Sequence, residues 1–269
     1  MDVLAMPVPG SGNPAVGSGR NVSRWAGAFG LAALVVFLLA TPLYFVGPAQ
    51  PAGATNGGTL ADFLTNTSAQ VLTRTTIADP IIICCFLVFL AGLRHLIRQA
   101  RADFEWLATL VFGIGVALST LQLVADGLQG GAALDASSRA EPIVVRGLFE
   151  ASYVFYGAIG LIVAAFMLAL AGFAILATGA LPRWIGWLAV GGAVVNLIAA
   201  PSIYGGTDYT AFYSASGWIT YIAQLTWVAW FASASVWMIR RREPASHPAA
   251  STPDGGARRE DEGPRWVPG

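Results

Sequence analysis

Ser119, Gln122 and Asp126 follow one another at spacings of three and four, which sets them on one face of any helix built from residues 105–128. Glu150, Tyr153 and Gly157 repeat the pattern in the next apolar stretch. Gly192 with Asn196, and Thr220 with Gln224, do so in the two after that. Polar groups inside apolar helices normally turn toward neighbouring helices, because facing lipid is costly. Converging carboxylates, carboxamides and a phenol can hold a polar ligand or work as an acid/base pair. The candidate ligand-binding set is therefore Asp126, Glu150, Gln122, Asn196, Gln224 and Tyr153, with Arg146 as a cation close by.

Each of these residues also has a structural reading. Asp126 stands near a helix C-terminus, where the dipole disfavours a carboxylate. It therefore calls for a cation, and Arg146, Arg139 or Arg74 is on the correct side. Glu150 is four residues after Arg146, the spacing of a helical ion pair. Asn196 and Gln224 suit hydrogen bonds between helices. Asp79 precedes Pro80 and an apolar run, the arrangement of an N-cap followed by proline in the first turn. Tyr204, Tyr209, Tyr213 and Tyr221 fit an interfacial aromatic belt as readily as a pocket wall.

The elements that must position these residues are six long apolar runs, at about 25–47, 76–97, 105–128, 146–177, 183–203 and 215–239. Hydrophobic residues make up 55% of the 269 and charged residues 11%, so the composition is that of a membrane protein. Each run is long enough for a bilayer core, which takes about 20 helical residues. All fifteen basic residues are arginine and the net charge is zero, so no basic field points to nucleic acid. Arg20 and Arg24, then Arg94, Arg98 and Arg101, then Arg183, and finally Arg240 to Arg242 fall on one side of a six-pass chain. By the positive-inside rule that side is cytoplasmic, and it holds both termini. Trp25, Trp106, Trp184, Trp187 and Trp237 form a belt there. Residues 1–19 and 243–269 read as disordered tails around a membrane domain of residues 20–242. In the first outer loop Leu60, Phe63, Leu64, Val71 and Leu72 have near-helical spacing and predict a short amphipathic helix lying on the outer surface.

At ~1.5 Å per residue, Asp126 is about 30 Å from Trp106, and Asp79 is about as far from Arg98. The polar residues thus gather at the outer end, whereas 107–118, 161–176 and 228–239 contain no ionisable group. A coupled transporter needs polar groups near the midplane, and none is visible within one chain. Cys84 and Cys85 are neighbours inside the second run and read as core-filling residues. His95 is the one histidine of the membrane region, too few for bis-histidine haem, and no metal or cofactor motif is found.

Residues 179–188, Gly-Ala-Leu-Pro-Arg-Trp-Ile-Gly-Trp-Leu, form a turn with a physical rationale. Gly179 ends one helix, Pro182 opens the next, Arg183 holds the cytoplasmic side and the tryptophans sit at the interface. The turn resembles that of uncharacterised bacterial six-helix membrane proteins grouped as domain of unknown function 4386, as do the order and spacing of the runs over residues 25–241. The resemblance implies a six-helix integral membrane protein and brings no activity to transfer.

The sequence therefore predicts an all-α, polytopic six-transmembrane-helix bundle in the cell membrane with both termini cytoplasmic. Its first functional expectation is a non-enzymatic protein whose outward-facing polar pocket takes a small molecule, a lipid headgroup or a partner. The alternatives are a transporter or permease acting as an oligomer, and an enzyme using Asp126 and Glu150 on a lipid-linked substrate.

Overall fold

Stretches of Leu, Ile, Val, Ala and Phe with few breakers leave the backbone one way to satisfy its own hydrogen bonds without water, which is the helix. The computed structural model describes residues 18–42, 57–138, 141–208 and 210–241, and among these there are helices and turns but no strand. Helix α1 is Ser18–Ala40 and α2 is Gly57–Thr73. A π-helical turn, Arg74–Ala78, joins α2 to α3, Asp79–Ala100. Helix α4 is Glu105–Ser137, and α5, Pro142–Tyr153, runs through a second π-helical turn, Val154–Ile159, into α6, Gly160–Thr178. Helices α7, Arg183–Ala199, and α8, Trp218–Arg240, complete the chain, with the 3-10 turn Ala200–Gly205 after α7. Six helical rods are long and apolar enough to cross a bilayer.

The rods close into a ring in which α1 packs on α3, α3 on α4, α4 on α6, α6 on α7, α7 on α8, and α8 back on α1. Its middle is a continuous apolar core. Phe86, Phe89, Trp230 and Phe231 stack or meet edge-on there, with Leu93, Met167, Leu168 and Ile175 fully buried around them. Aromatic pairs of this kind add about 0.5–1.5 kcal/mol each beyond the area they bury. Arg24, Arg94, Arg98, Arg101, Arg183, Arg240 and Arg241, and the exposed Trp25, Trp106, Trp184, Trp187 and Trp237, lie at one end, which we call the arginine end.

Three rods overshoot the ring. The helical residues 58–100, 102–137 and 142–178 number 43, 36 and 37, so they are about 55–65 Å long against about 30 Å of hydrocarbon. Their extra turns form a second, three-helix bundle at the far end, where α2 and α5 pack on α4 and on each other. Leu60, Leu64, Ala132, Val145 and Phe149 are its core. Two expectations are corrected by this arrangement. The helix predicted to lie on the outer surface is instead the first part of the 57–100 rod, because Leu60, Phe63, Leu64 and Val71 find an apolar partner in α4 and α5. The third run continues beyond residue 128 to Ser137, straight through Gly130 and Gly131. There a Cβ on Gly130 would stand 3.2 Å from Thr75 Oγ1, so the glycine serves close packing of the rods and does not end a helix. Residues 1–17, 43–56, 139–140, 209 and 242–269 lie outside the described residues, and with them the predicted C-terminal tail, all but the last two residues of the predicted N-terminal tail, Arg139, Tyr209 and the end of the first predicted run, while residues 18–19 open α1.

The turn at 179–188 forms as its residues dictate. Gly179 takes the left-handed conformation at φ 66° and donates its N–H to the Ile175 carbonyl, while Pro182 sits at the N-cap of α7. Close approach elsewhere also requires glycine. A Cβ on Gly92 would collide with the Ala26 methyl where α3 meets α1, whereas one on Gly113 would meet nothing within 4 Å. Gly92→Ala is therefore expected to lower stability by about 1–3 kcal/mol through overpacking. Gly113→Ala, which gains up to about 1 kcal/mol of helix propensity, should be neutral or stabilising. Thermal melts of the two variants in detergent check this, and equal melting points would contradict it.

Candidate functional site

The site begins with a proline. Pro80 has no N–H and its ring crowds the carbonyl four residues back, so an α-helical ladder cannot pass Thr76 unchanged. Just upstream, the hydroxyls of Thr73, Thr75 and Thr76 donate to the carbonyls of Ala69, Val71 and Leu72 at 2.7, 2.9 and 2.6 Å, a pattern that bends helices. The rod widens in response, and the Asp79 N–H reaches the Arg74 carbonyl to close the first π-helical turn. In the second, the Gly160 N–H donates to the Phe155 carbonyl, which lies 2.5 Å from where a Cβ on Gly160 would be. One inserted residue rotates everything after it by about 100° relative to an α-helix. Such insertions cluster at functional sites.

Both turns face the same point of α4. Arg74 Nε lies 3.6 Å from Asp79 Oδ2, and the guanidinium donates to Gln129 Oε1. The Tyr156 hydroxyl donates to Asp126 Oδ1. Asp126 also meets the Asp79 carboxyl, and the charge of Arg74 acts on both Asp126 and Tyr156. The charge of Arg74 also acts on Tyr221 of α8. Asp126 is only 3% exposed, while the side chains of Arg74 and Asp79 above it keep 14% and 16%. Asp126 Oδ2 is buried and accepts no hydrogen bond from a protein donor. The Asp126 and Asp79 carboxyls share a hydrogen bond beside one guanidinium, and Asp126 Oδ2 is the carboxyl oxygen of the cluster that can take one more donor.

The predicted site residues divide around this centre. Asp126 is in it, and of the two described cations suggested for it, Arg74 and Arg146, Arg74 is the one that arrives. Asp79 belongs to it as well. The expectation that Asp79 caps a helix is corrected, since the backbone is helical on both sides of it and Ala78, not Asp79, stands at the N-cap of α3. Glu150 and Arg146 pair with each other at 2.7 Å on an exposed face. Asn196 is buried and donates to the Gly192 and Ala223 carbonyls at 2.8 and 3.4 Å, tying α7 to α8. Gln224 is exposed, Gln122 is half-buried, and the Tyr153 ring packs edge-on against Phe149. Gln129 and Tyr156 were not anticipated. Gln129 continues the Ser119–Gln122–Asp126 face at the next spacing of three, a signal hidden by ending the run at 128. Tyr156 lies one position off the face chosen by α-helical spacing.

The loop after α7 lies alongside. It packs on the second π-helical turn, where Ala215 faces Gly157. The hydroxyl and N–H of Thr210 donate to the Asp208 carboxylate at 2.7 and 2.8 Å, and they hold that carboxyl below its usual range. Among the described residues no three His, Cys, Asp or Glu side chains gather as a metal site would need.

Compared with protein-family models, curated proteins and solved structures, the chain has no match.

Removing one partner of a buried ion pair strands the other, at about 3–5 kcal/mol, whereas exposed pairs contribute about 0–1. Arg74→Met should therefore lower unfolding stability in detergent by about 3 kcal/mol. Arg146→Met, which breaks the exposed pair with Glu150, should change it by less than about 0.5. Similar losses for the two variants would remove the distinction between the sites.

Proposed function

We propose that this chain is a multi-pass protein of the bacterial cell membrane, with both termini cytoplasmic, and that it acts as a non-enzymatic binding protein. Its outward-facing site takes a small molecule bearing a cationic hydrogen-bond donor. The observation that carries this reading is Asp126 Oδ2, a buried carboxylate oxygen with no protein donor, beneath the partly exposed Arg74 and Asp79. A protonated amine supplies the donor that this oxygen lacks. The arginines and tryptophans at the opposite end support the orientation through the positive-inside rule and the interfacial belt. The likeness of the Gly179–Leu188 turn to the domain of unknown function 4386 proteins supports the same six-helix plan, and we place the chain with them.

The apolar layer of Phe86, Phe89, Trp230 and Phe231 between the site and the arginine end favours binding over passage through a single chain. Glu150, engaged by Arg146 on an exposed face, favours binding over acid/base work with Asp126.

Two experiments test the reading. With Cys84 and Cys85 replaced by alanine, a membrane-impermeant maleimide should label Ala69→Cys on intact cells. It should label Gln99→Cys only after permeabilisation, and the reverse pattern would invert the orientation. Butylamine should raise the melting temperature of the purified protein and butanol should not, and Asp126→Asn should abolish the shift. A shift that survives Asp126→Asn would remove the site.

A further inference from the structure

A second feature lies at the arginine end, on the seam where α8 closes the ring against α1. Small residues bring these helices together. Cβ atoms on Gly27 and Gly30 would run into the Ser235 carbonyl and hydroxyl of α8, and the Gly27 position also faces Ile239 Cγ1. Beside this contact lies an open groove of about 330 Å³ lined by Arg24, Trp25, Ala28 and Ile239. Arg24 and Ala28 are four residues apart and share a helix face. The groove is therefore cationic at its mouth and apolar farther in, and Phe29 is exposed one turn beyond Trp25.

The arginines of this end are not equivalent. Arg94 and Arg98 face Glu105 at 3.6 Å, and Arg101 faces Asp103 at 3.8 Å. Arg24, and Arg240 and Arg241 immediately after Ile239, form no ion pair among the described residues, and all three are exposed. Arg183 at the α6–α7 turn is likewise exposed and unpaired among the described residues, so Arg24, Arg240 and Arg241, at the ends of α1 and α8, are three of the four such arginines at this end and stand on the two helices that form the groove. A guanidinium binds a phosphate through paired N–H donors, an indole sits at the level of lipid headgroups, and an apolar trough receives a chain running toward the bilayer centre.

We propose that the α1–α8 groove is a binding site for an anionic phospholipid, with the phosphate on Arg24 and an acyl chain along Ala28 and Ile239. The assignment rests on the membrane orientation proposed above and is independent of the amine site. The excess of cations selects an anionic headgroup over a zwitterionic one, and the apolar trough selects a lipid over free phosphate.

The test uses the full chain in detergent, with phosphatidylglycerol, phosphatidylcholine or inorganic phosphate as the added probe. Phosphatidylglycerol should raise the melting temperature more than phosphatidylcholine, and inorganic phosphate should have no effect. One juxtamembrane arginine contributes about fivefold in affinity for an anionic surface. Arg24→Gln should therefore weaken phosphatidylglycerol binding about fivefold, and Arg183→Gln at the same end should leave it unchanged. Ala28→Leu fills the groove without altering charge. It should also weaken binding, which keeps the test informative if Arg24→Gln fails to fold. Equal stabilisation by the two lipids, equal effects of Arg24→Gln and Arg183→Gln, or a matching response to inorganic phosphate would each overturn the site. If the lipid preference is lost while maleimide labelling still reports the proposed orientation, the groove assignment alone fails. Absence of the chain from the membrane fraction would instead overturn the membrane reading itself.

Discussion

Two carboxylates and one guanidinium held between apolar helices constrain everything built around them. Each ion removed from water carries a penalty of several kcal/mol that only close partners offset. No single rod supplies all of them here. Arg74 and Asp79 come from the first long rod, Asp126 and Gln129 from the second, and Tyr156 from the third. The three rods must therefore keep one register along their length, and the two π-helical turns supply the rotation that lets them do so. The same three rods continue as the far-end bundle, whose Leu60–Phe149 core locks them just beyond the cluster.

Below the cluster the forces change. The buried core in the middle of the ring has no carboxylate and no arginine, so its stability comes from aromatic contacts, dispersion and close glycine-mediated approach. At the arginine end charge returns, partly neutralised by Glu105 and Asp103 and partly left over beside α1 and α8. The molecule thus has two polar ends of unlike character. One is a buried, nearly closed network rich in carboxylate, and the other is an open groove rich in arginine. In the proposed orientation they face opposite sides of the membrane.

How far the sequence revealed this follows from which signals are periodic. Six apolar runs, the Gly179 turn and the Arg146–Glu150 pair obey α-helical spacing and were legible. Asp126 was legible as a carboxylate that calls for a partner, although not for the reason of a helix C-terminus, since α4 runs on to Ser137 and Asp126 lies inside it. The partner set was not. Identifying Arg74 with Asp79 requires seeing that Pro80 and the upstream threonines widen a helix instead of starting one, and Tyr156 depends on a second widened turn that α-helical counting misses. The long rods were cut short for a different reason. Spans measured against the thickness of a bilayer stop near residue 128, whereas α4 runs on to Ser137 and Gly130 is a point where two rods touch.

The central claim is that Arg74 and Asp126, 52 positions apart, act as one electrostatic unit that orders the rods. A double-mutant cycle tests it directly, comparing Arg74→Met, Asp126→Asn and the double variant by unfolding in detergent. A shared network predicts that the double variant is more stable than the sum of the single losses implies, with a coupling of about 1 kcal/mol or more. Losses that add to within about 0.5 kcal/mol would show that the two residues act independently. That result would contradict the account.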